Sequence, residues 1–296
     1  MLAPRSGRGE LVVCVATLLT GLTALLVLAL LTDSLTLWIL LSLLGEELVY
    51  VGLAIAVTYL ANPQVGFLAL VSVLLSGSLN IMLKNSLNIP RPPPELWRVP
   101  ASGPGFPSGH VQISTTFWTS ISLSLRNRYV AALSALTITS IAVSRVALRV
   151  HSVGDVVAGI ALGLSTAALS YYVSKVSEPR HTVLALSLIS SSISCYCLLL
   201  RYEASTSAAV AGLSLGVALS SQLIDGVSKK ISNFSILRRA ISLLLVGLPS
   251  AVTTMAEPPN PYLGLPIYIS LGVLISVAPL AISHIGRRDK GLSLDH

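Results

Sequence analysis

The chain has 296 residues, of which 53% are hydrophobic and only 10% charged, and its mean hydropathy of +0.80 is incompatible with a water-soluble surface. The same scarcity of charge excludes disorder, and three cysteines, Cys14, Cys195 and Cys197, exclude a disulfide-built module. The net charge of +7 comes from basic residues scattered singly or in pairs, which points to membrane topology and not to nucleic acid.

A bilayer core of roughly 30 Å needs about 20 apolar helical residues. On that basis the chain is an all-α polytopic membrane bundle with about ten crossings. They are expected near 11–31, 48–61, 66–84, 110–125, 130–149, 153–175, 183–201, 206–224, 238–256 and 265–283. The run 11–31 follows Arg5 and Arg8 as a secretory signal would, but it is too long for a signal core and reads as a retained anchor. Residues 34–47 are ambiguous: either an interfacial segment ending at Glu46 and Glu47, or the first half of a longer crossing. Turn residues fall between the runs at Asn62-Pro63, Pro90 to Pro94, Glu178-Pro179 and Glu257-Pro258-Pro259. The cysteines, all inside apolar runs, read as small buried hydrophobes.

When loops are assigned to alternate faces, most of the nineteen basic residues collect on the face carrying the N-terminus. The exceptions are Lys84, Arg91, Arg98, Arg145, Arg149 and Arg201. By the positive-inside rule both termini are cytoplasmic and the sparse face looks outward. His181, His284 and His296 fall on the cytoplasmic side as interfacial or tail residues.

The outward exceptions cluster with other chemistry. Lys84 ends the third run and Arg91-Pro92 follows; Ser108-Gly109-His110 opens the fourth; Ser144-Arg145 ends the fifth; His151 and Asp155 open the sixth. Three fixed cations beside a helix N-terminus form an anion trap. Arginine grips phosphate oxygens with a planar fork, lysine adds a point charge, and the amides of Ser108, Gly109 and His110 point outward. Ser108 can also cap its helix, and Gly109 lets the backbone approach a ligand. Taken singly, each cation reads as a snorkelling side chain and Pro-Ser-Gly as a helix start; the set together does not. Asp155, four residues after His151, shares its helical face and can hold one ring nitrogen, leaving the other to attack phosphorus. His110, the other histidine on this face, can protonate the departing oxygen.

The blocks Lys84-x6-Arg91-Pro92, Pro107-Ser108-Gly109-His110 and Ser144-Arg145-x5-His151-x3-Asp155 resemble the signature of the type 2 phosphatidic acid phosphatase and vanadium haloperoxidase superfamily. The resemblance implies that Lys84, Arg91 and Arg145 bind phosphate with help from Ser108 and Gly109. It further implies that His151 is the nucleophile oriented by Asp155 and that His110 is the general acid. Hydrolysis of a phosphate monoester or diphosphate through a phosphohistidine, with no metal and no cofactor, is the implied reaction. The motifs span residues 84–155, and a phosphatase core is expected over 1–178. A four-helix extension, 179–296, carries no motif; phosphatases of sphingosine phosphate and of glucose 6-phosphate also have added helices.

A site at helix ends favours a lipid phosphate whose tail stays in the bilayer, and an outward face favours polyprenyl diphosphate over phosphatidate or sphingoid phosphate. A soluble sugar phosphate is the alternative substrate. A haloperoxidase is disfavoured by the spans, and an anion or lipid transporter by the lack of ionisable residues deep within them. The loop from Pro90 to Phe106, with Trp97 and Arg98, is expected to cover the site.

Overall fold

The computed structural model describes residues 5–255, Pro258 and 260–285. The turn expected at Glu257-Pro258-Pro259 and the positions of Arg287, Arg288, Lys290 and His296 fall wholly or largely outside them. Among the described residues the chain is helical and without strands. Twelve α-helices follow in chain order: α1 (Arg5–Thr32), α2 (Leu35–Leu43), α3 (Glu47–Ala56), α4 (Pro63–Leu87), α5 (Gly109–Leu125), α6 (Arg128–Ala147), α7 (Val153–Val176), α8 (Pro179–Leu199), α9 (Ala204–Leu219), α10 (Ile224–Ser232), α11 (Ile236–Met255) and α12 (Pro261–Ile285).

Their ends obey local chemistry. Asn62 Oδ1 accepts from the amides of Gln64 and Val65, so α4 starts with a capping asparagine and a proline that has no amide to satisfy. Asn127 caps α6 in the same way through the amides of Tyr129 and Val130. Pro179 opens α8. The turn residues at 62–63, 90–94 and 178–179 therefore do break the apolar runs.

Among the described residues six helices are long and apolar enough to cross a membrane: the 13–32 part of α1, then α4, α6, α7, α8 and the 261–282 part of α12. Two bent pairs, 35–43 with 47–61 and 204–219 with 221–232, raise the number to eight if each is one span. The expectation of ten differs partly because α5 has only 17 residues, about 25 Å at 1.5 Å per residue. The run expected at 238–256 also extends past the described residues. Cys197 is buried, whereas Cys14 is exposed on α1, so the expectation of buried cysteines does not hold for it within the protein itself.

The chain forms two compact units. The first comprises 1–50 and 83–171, the second 51–82 and 172–296. In the first, Gly159 and Gly163, one turn apart on α7, let it lie against α5. A Cβ at Gly163 would sit 2.5 Å from Gln112 O and 2.6 Å from Thr115 Cβ, and one at Gly159 would sit 2.9 Å from Ser108 O. Such small-residue contacts allow helix backbones to approach where lipid supplies no hydrophobic drive. Here they bring the starts of α5 and α7 together, and the Ser108 amide donates to Asp155 O at 3.1 Å. A cluster of Ala29, Trp38, Leu41, Leu148 and Val150 ties α1 and α2 to the link between α6 and α7.

The segment 34–47 forms α2 and the turn after it, and α2 is bent by 47° from 47–61. Near one end of α2, Asp33 accepts from Arg98 at 2.6 Å; at the other, Ser42 Oγ accepts from Arg145 at 2.6 Å. Both ends thus meet one end of the unit, and α2 lies across it. In the second unit the same close packing recurs, with Gly212 and Gly216 of α9 against α12, where a Cβ at Gly216 would meet Gly272 Cα at 2.8 Å. Buried hydroxyls of Ser78, Ser190 and Ser214 line up, with Ser78 Oγ 3.3 Å from Ser190 Oγ and Ser190 Oγ hydrogen-bonded to Ser214 Oγ at 2.9 Å.

Candidate active site

Every motif residue lies in the first unit. His151, in the link before α7, is 3% exposed, and Asp155 is 4% exposed. The His151 Nε2 atom is 2.9 Å from an Arg91 terminal nitrogen. A guanidinium can only donate, so Nε2 carries the lone pair and the proton resides on Nδ1. Nδ1 lies 3.4 Å from Asp155 Oδ2, within ion-pair range but without the alignment of a hydrogen bond. Burial, followed by the charges of Arg91, Arg145, Lys84 and His110, holds the proton affinity of His151 well below that of an ordinary histidine. The ring is neutral at pH 7 and its lone pair faces cations.

Asp155 has a second task. Its Oδ2 accepts from the Ser152 amide at 2.8 Å while Ser152 Oγ accepts from the Asp155 amide at 3.2 Å. This reciprocal capping box starts α7, and it fixes the carboxylate beside the imidazole.

The cations surround a region of unmet hydrogen-bonding capacity. Arg91 is held by Ser102 O at 3.0 Å, Gly103 O at 3.2 Å and Val150 O at 2.9 Å. Arg145, 9% exposed at the end of α6, uses one terminal nitrogen on Ser42, and its buried Nε has no partner. Lys84, in the last turn of α4, acts electrostatically on both His151 and His110. Ser108 departs from expectation in two ways. Its side chain makes no capping bond, and its amide serves Asp155 O instead of pointing at a ligand. Its Oγ is instead fully buried without a partner. A buried unsatisfied donor costs about 1–3 kcal/mol, and Ser108 Oγ and Arg145 Nε both carry that cost. Gly109, buried as the first residue of α5, adds an amide with no intrahelical acceptor.

His110 Nε2 lies 3.1 Å from Glu46 Oε1, a partner that the motif spacing does not contain. Ser42, Glu46 and Ser152 are the site residues that sequence reading missed. Only Glu46 carried a signal, as an ionisable group in an apolar run.

The loop before α5 is pinned rather than loose. Arg98 binds Asp33 through Oδ1 and, at 2.8 Å, through its carbonyl oxygen, while the Arg98 amide donates to Leu148 O at 3.1 Å. Hydrogen bonds from Arg98 and then Trp38 hold the Asp33 carboxyl below the usual range. Trp97, Val99 and Ala101 pack on the cluster around Trp38. Arg98 is therefore structural.

Elsewhere, a cavity of about 660 Å³ in the second unit is lined by Asn62, Gln64, Glu178, Arg180, Asp225 and Lys229 among others, none of them a motif residue. Among the described residues no three His, Cys, Asp or Glu side chains gather as metal ligands.

Comparison with curated proteins and with solved structures gives no match. Residues 65–178 match the family model described as PAP2 superfamily. All three motif blocks lie within that stretch, and the match supports membership of the PAP2 superfamily.

Proposed function

We propose that the protein is a metal-independent phosphatase that transfers a phosphoryl group to His151 Nε2 and then to water. The observation that carries this reading is the Arg91 contact on Nε2, which requires a lone pair on the nitrogen nearest the cations. When phosphate enters, Arg91, Arg145, Lys84 and Ser108 turn their donors to its oxygens, and the Gly109 amide assists. The added negative charge also reverses the field on His151. Nε2 then attacks phosphorus, Asp155 stabilises the imidazolium, and His110 gives its proton to the leaving oxygen. Water hydrolyses the phosphohistidine with His110 as base. These cations take the part that a metal plays in other phosphoryl-transfer enzymes.

A lipid substrate is supported by α2, which binds Arg145 through Ser42 and exposes Leu35, Leu40 and Leu43. With the sparse face outward and both termini cytoplasmic, polyprenyl diphosphate is the favoured lipid. The end of the family match at 178 supports a catalytic part over 1–178 and an extension over 179–296, with residues 51–82 of the catalytic part packed in the same compact unit as the extension. Phosphate release by purified protein in detergent should rank polyprenyl diphosphate above phosphatidate, sphingoid phosphate and glucose 6-phosphate. A preference for the sugar phosphate would overturn the lipid assignment.

A further inference from the structure

We propose that Glu46 is a positioning residue for catalysis, forming with His110 a second histidine–carboxylate pair that holds the general acid for proton delivery; this rests on the phosphatase reading above. The pair is built into the fold. Glu46 sits in the break between α2 and α3, where the Gly45 amide donates to Ser42 O at 2.8 Å and the Glu46 amide to Leu43 O at 3.2 Å. Tyr50 Oη fixes the same turn by donating to Leu44 O at 2.5 Å.

Gly45 is required for the approach. A Cβ there would stand 2.8 Å from Ile141 Cγ2 and 3.0 Å from His110 Cβ, so the backbone of the break lies directly against the histidine. The same short stretch supplies Ser42 to Arg145. One irregular turn therefore braces a phosphate-binding cation and the acid together.

The electrostatic need is specific. Burial, then Arg145 on α6 and Lys84 on α4, disfavour charge on His110, and its proton affinity stays below that of an ordinary histidine even with Glu46 bonded to it; a protonated imidazole here therefore depends on a counter-charge. Glu46, half exposed, supplies that charge. It also accepts the Nε2 proton, leaving the other ring nitrogen to deliver its own. In the first step the His151 Nε2–P bond forms as the P–O bond breaks. The electron pair of that bond and one proton from His110 go to the leaving oxygen, and neutral His110 keeps its N–H on Glu46. Water then attacks phosphorus, returns a proton to His110, and releases His151 and inorganic phosphate.

Two probes separate this role from simple structural support: dodecyl phosphate, whose alkoxide must be protonated to leave, and 4-nitrophenyl phosphate, whose phenolate leaves without help. The value of kcat/KM reports only the first step. Glu46→Gln should lower kcat/KM for dodecyl phosphate by about 10- to 100-fold, at least tenfold more than for 4-nitrophenyl phosphate, whose turnover also reports that the variant is folded. In a His110→Asn background the same change should cost nothing further. An equal loss on both probes, or a full additional loss without His110, overturns the role of Glu46 while leaving the phosphatase reading intact. Wild-type protein that hydrolyses neither probe overturns both.

Discussion

At the scale of single residues, the neutral His151 ring with its lone pair toward Arg91 is the feature on which the proposed chemistry depends. His151→Ala should abolish phosphate release while leaving the thermal transition in place. Asp155→Asn should reduce kcat by about 10²–10⁴-fold as the imidazolium loses its partner, and the capping box should survive in part because an asparagine oxygen still accepts from Ser152. The depressed proton affinity of His151 also has a stability consequence. Below an ordinary histidine value of about 6.5 the unfolded chain binds a proton that the folded chain refuses, so stability falls as pH drops from ~6.5 toward the lowered folded value. His151→Gln should flatten that slope in thermal melts across pH 4–7, a window of about three units; an unchanged slope would assign it elsewhere. The motif residues were legible because three blocks in fixed order specify chemistry. The partners Ser42 and Glu46 were not, because a contact across 64 positions between Glu46 and His110 leaves no local pattern. The unpartnered Ser108 hydroxyl was hidden for a related reason: a serine before a helix ordinarily caps it, and here the hydroxyl is buried without a partner.

At the scale of elements, the meeting of α5 and α7 depends on Gly159 and Gly163. Gly163→Leu should force the two helices apart and separate Ser108 from Asp155. The expected result is loss of both vanadate binding and turnover in protein that still purifies with helical circular dichroism; full activity would show that the contact is not what gathers the site. The pinned loop makes a milder prediction. Arg98→Ala removes its link to Asp33 and should raise KM several-fold and speed proteolysis between residues 88 and 108, with kcat less affected. The small-residue pairs on α7 and α9 were present in the sequence, yet glycine spacing alone does not say which helix approaches. The segment 34–47 was ambiguous for a comparable reason. An apolar stretch of nine residues such as α2 has no periodicity that separates a membrane half-span from a cover.

At the scale of the whole molecule, the all-helical membrane architecture was plain from composition, while the number of crossings was not. Hydropathy alone does not decide whether bent pairs such as 35–43 with 47–61 span once, and α5 falls short of a full bilayer. The proposed orientation is directly testable. In intact cells an impermeant thiol reagent should label Glu95→Cys, in the loop before α5, and leave Asn127→Cys, in the turn after it, unlabelled; the reverse pattern would place the site on the cytoplasmic side. Chelators should leave activity unchanged and vanadate should inhibit it.

The most direct measurement is to trap the intermediate. Protein mixed briefly with substrate labelled in the phosphoryl group and quenched in alkali, which preserves phosphohistidine, should carry label on the peptide containing His151 and on no peptide of His151→Ala. Rapid turnover by the wild-type protein with no label on His151, or with label on another residue, would contradict the mechanism.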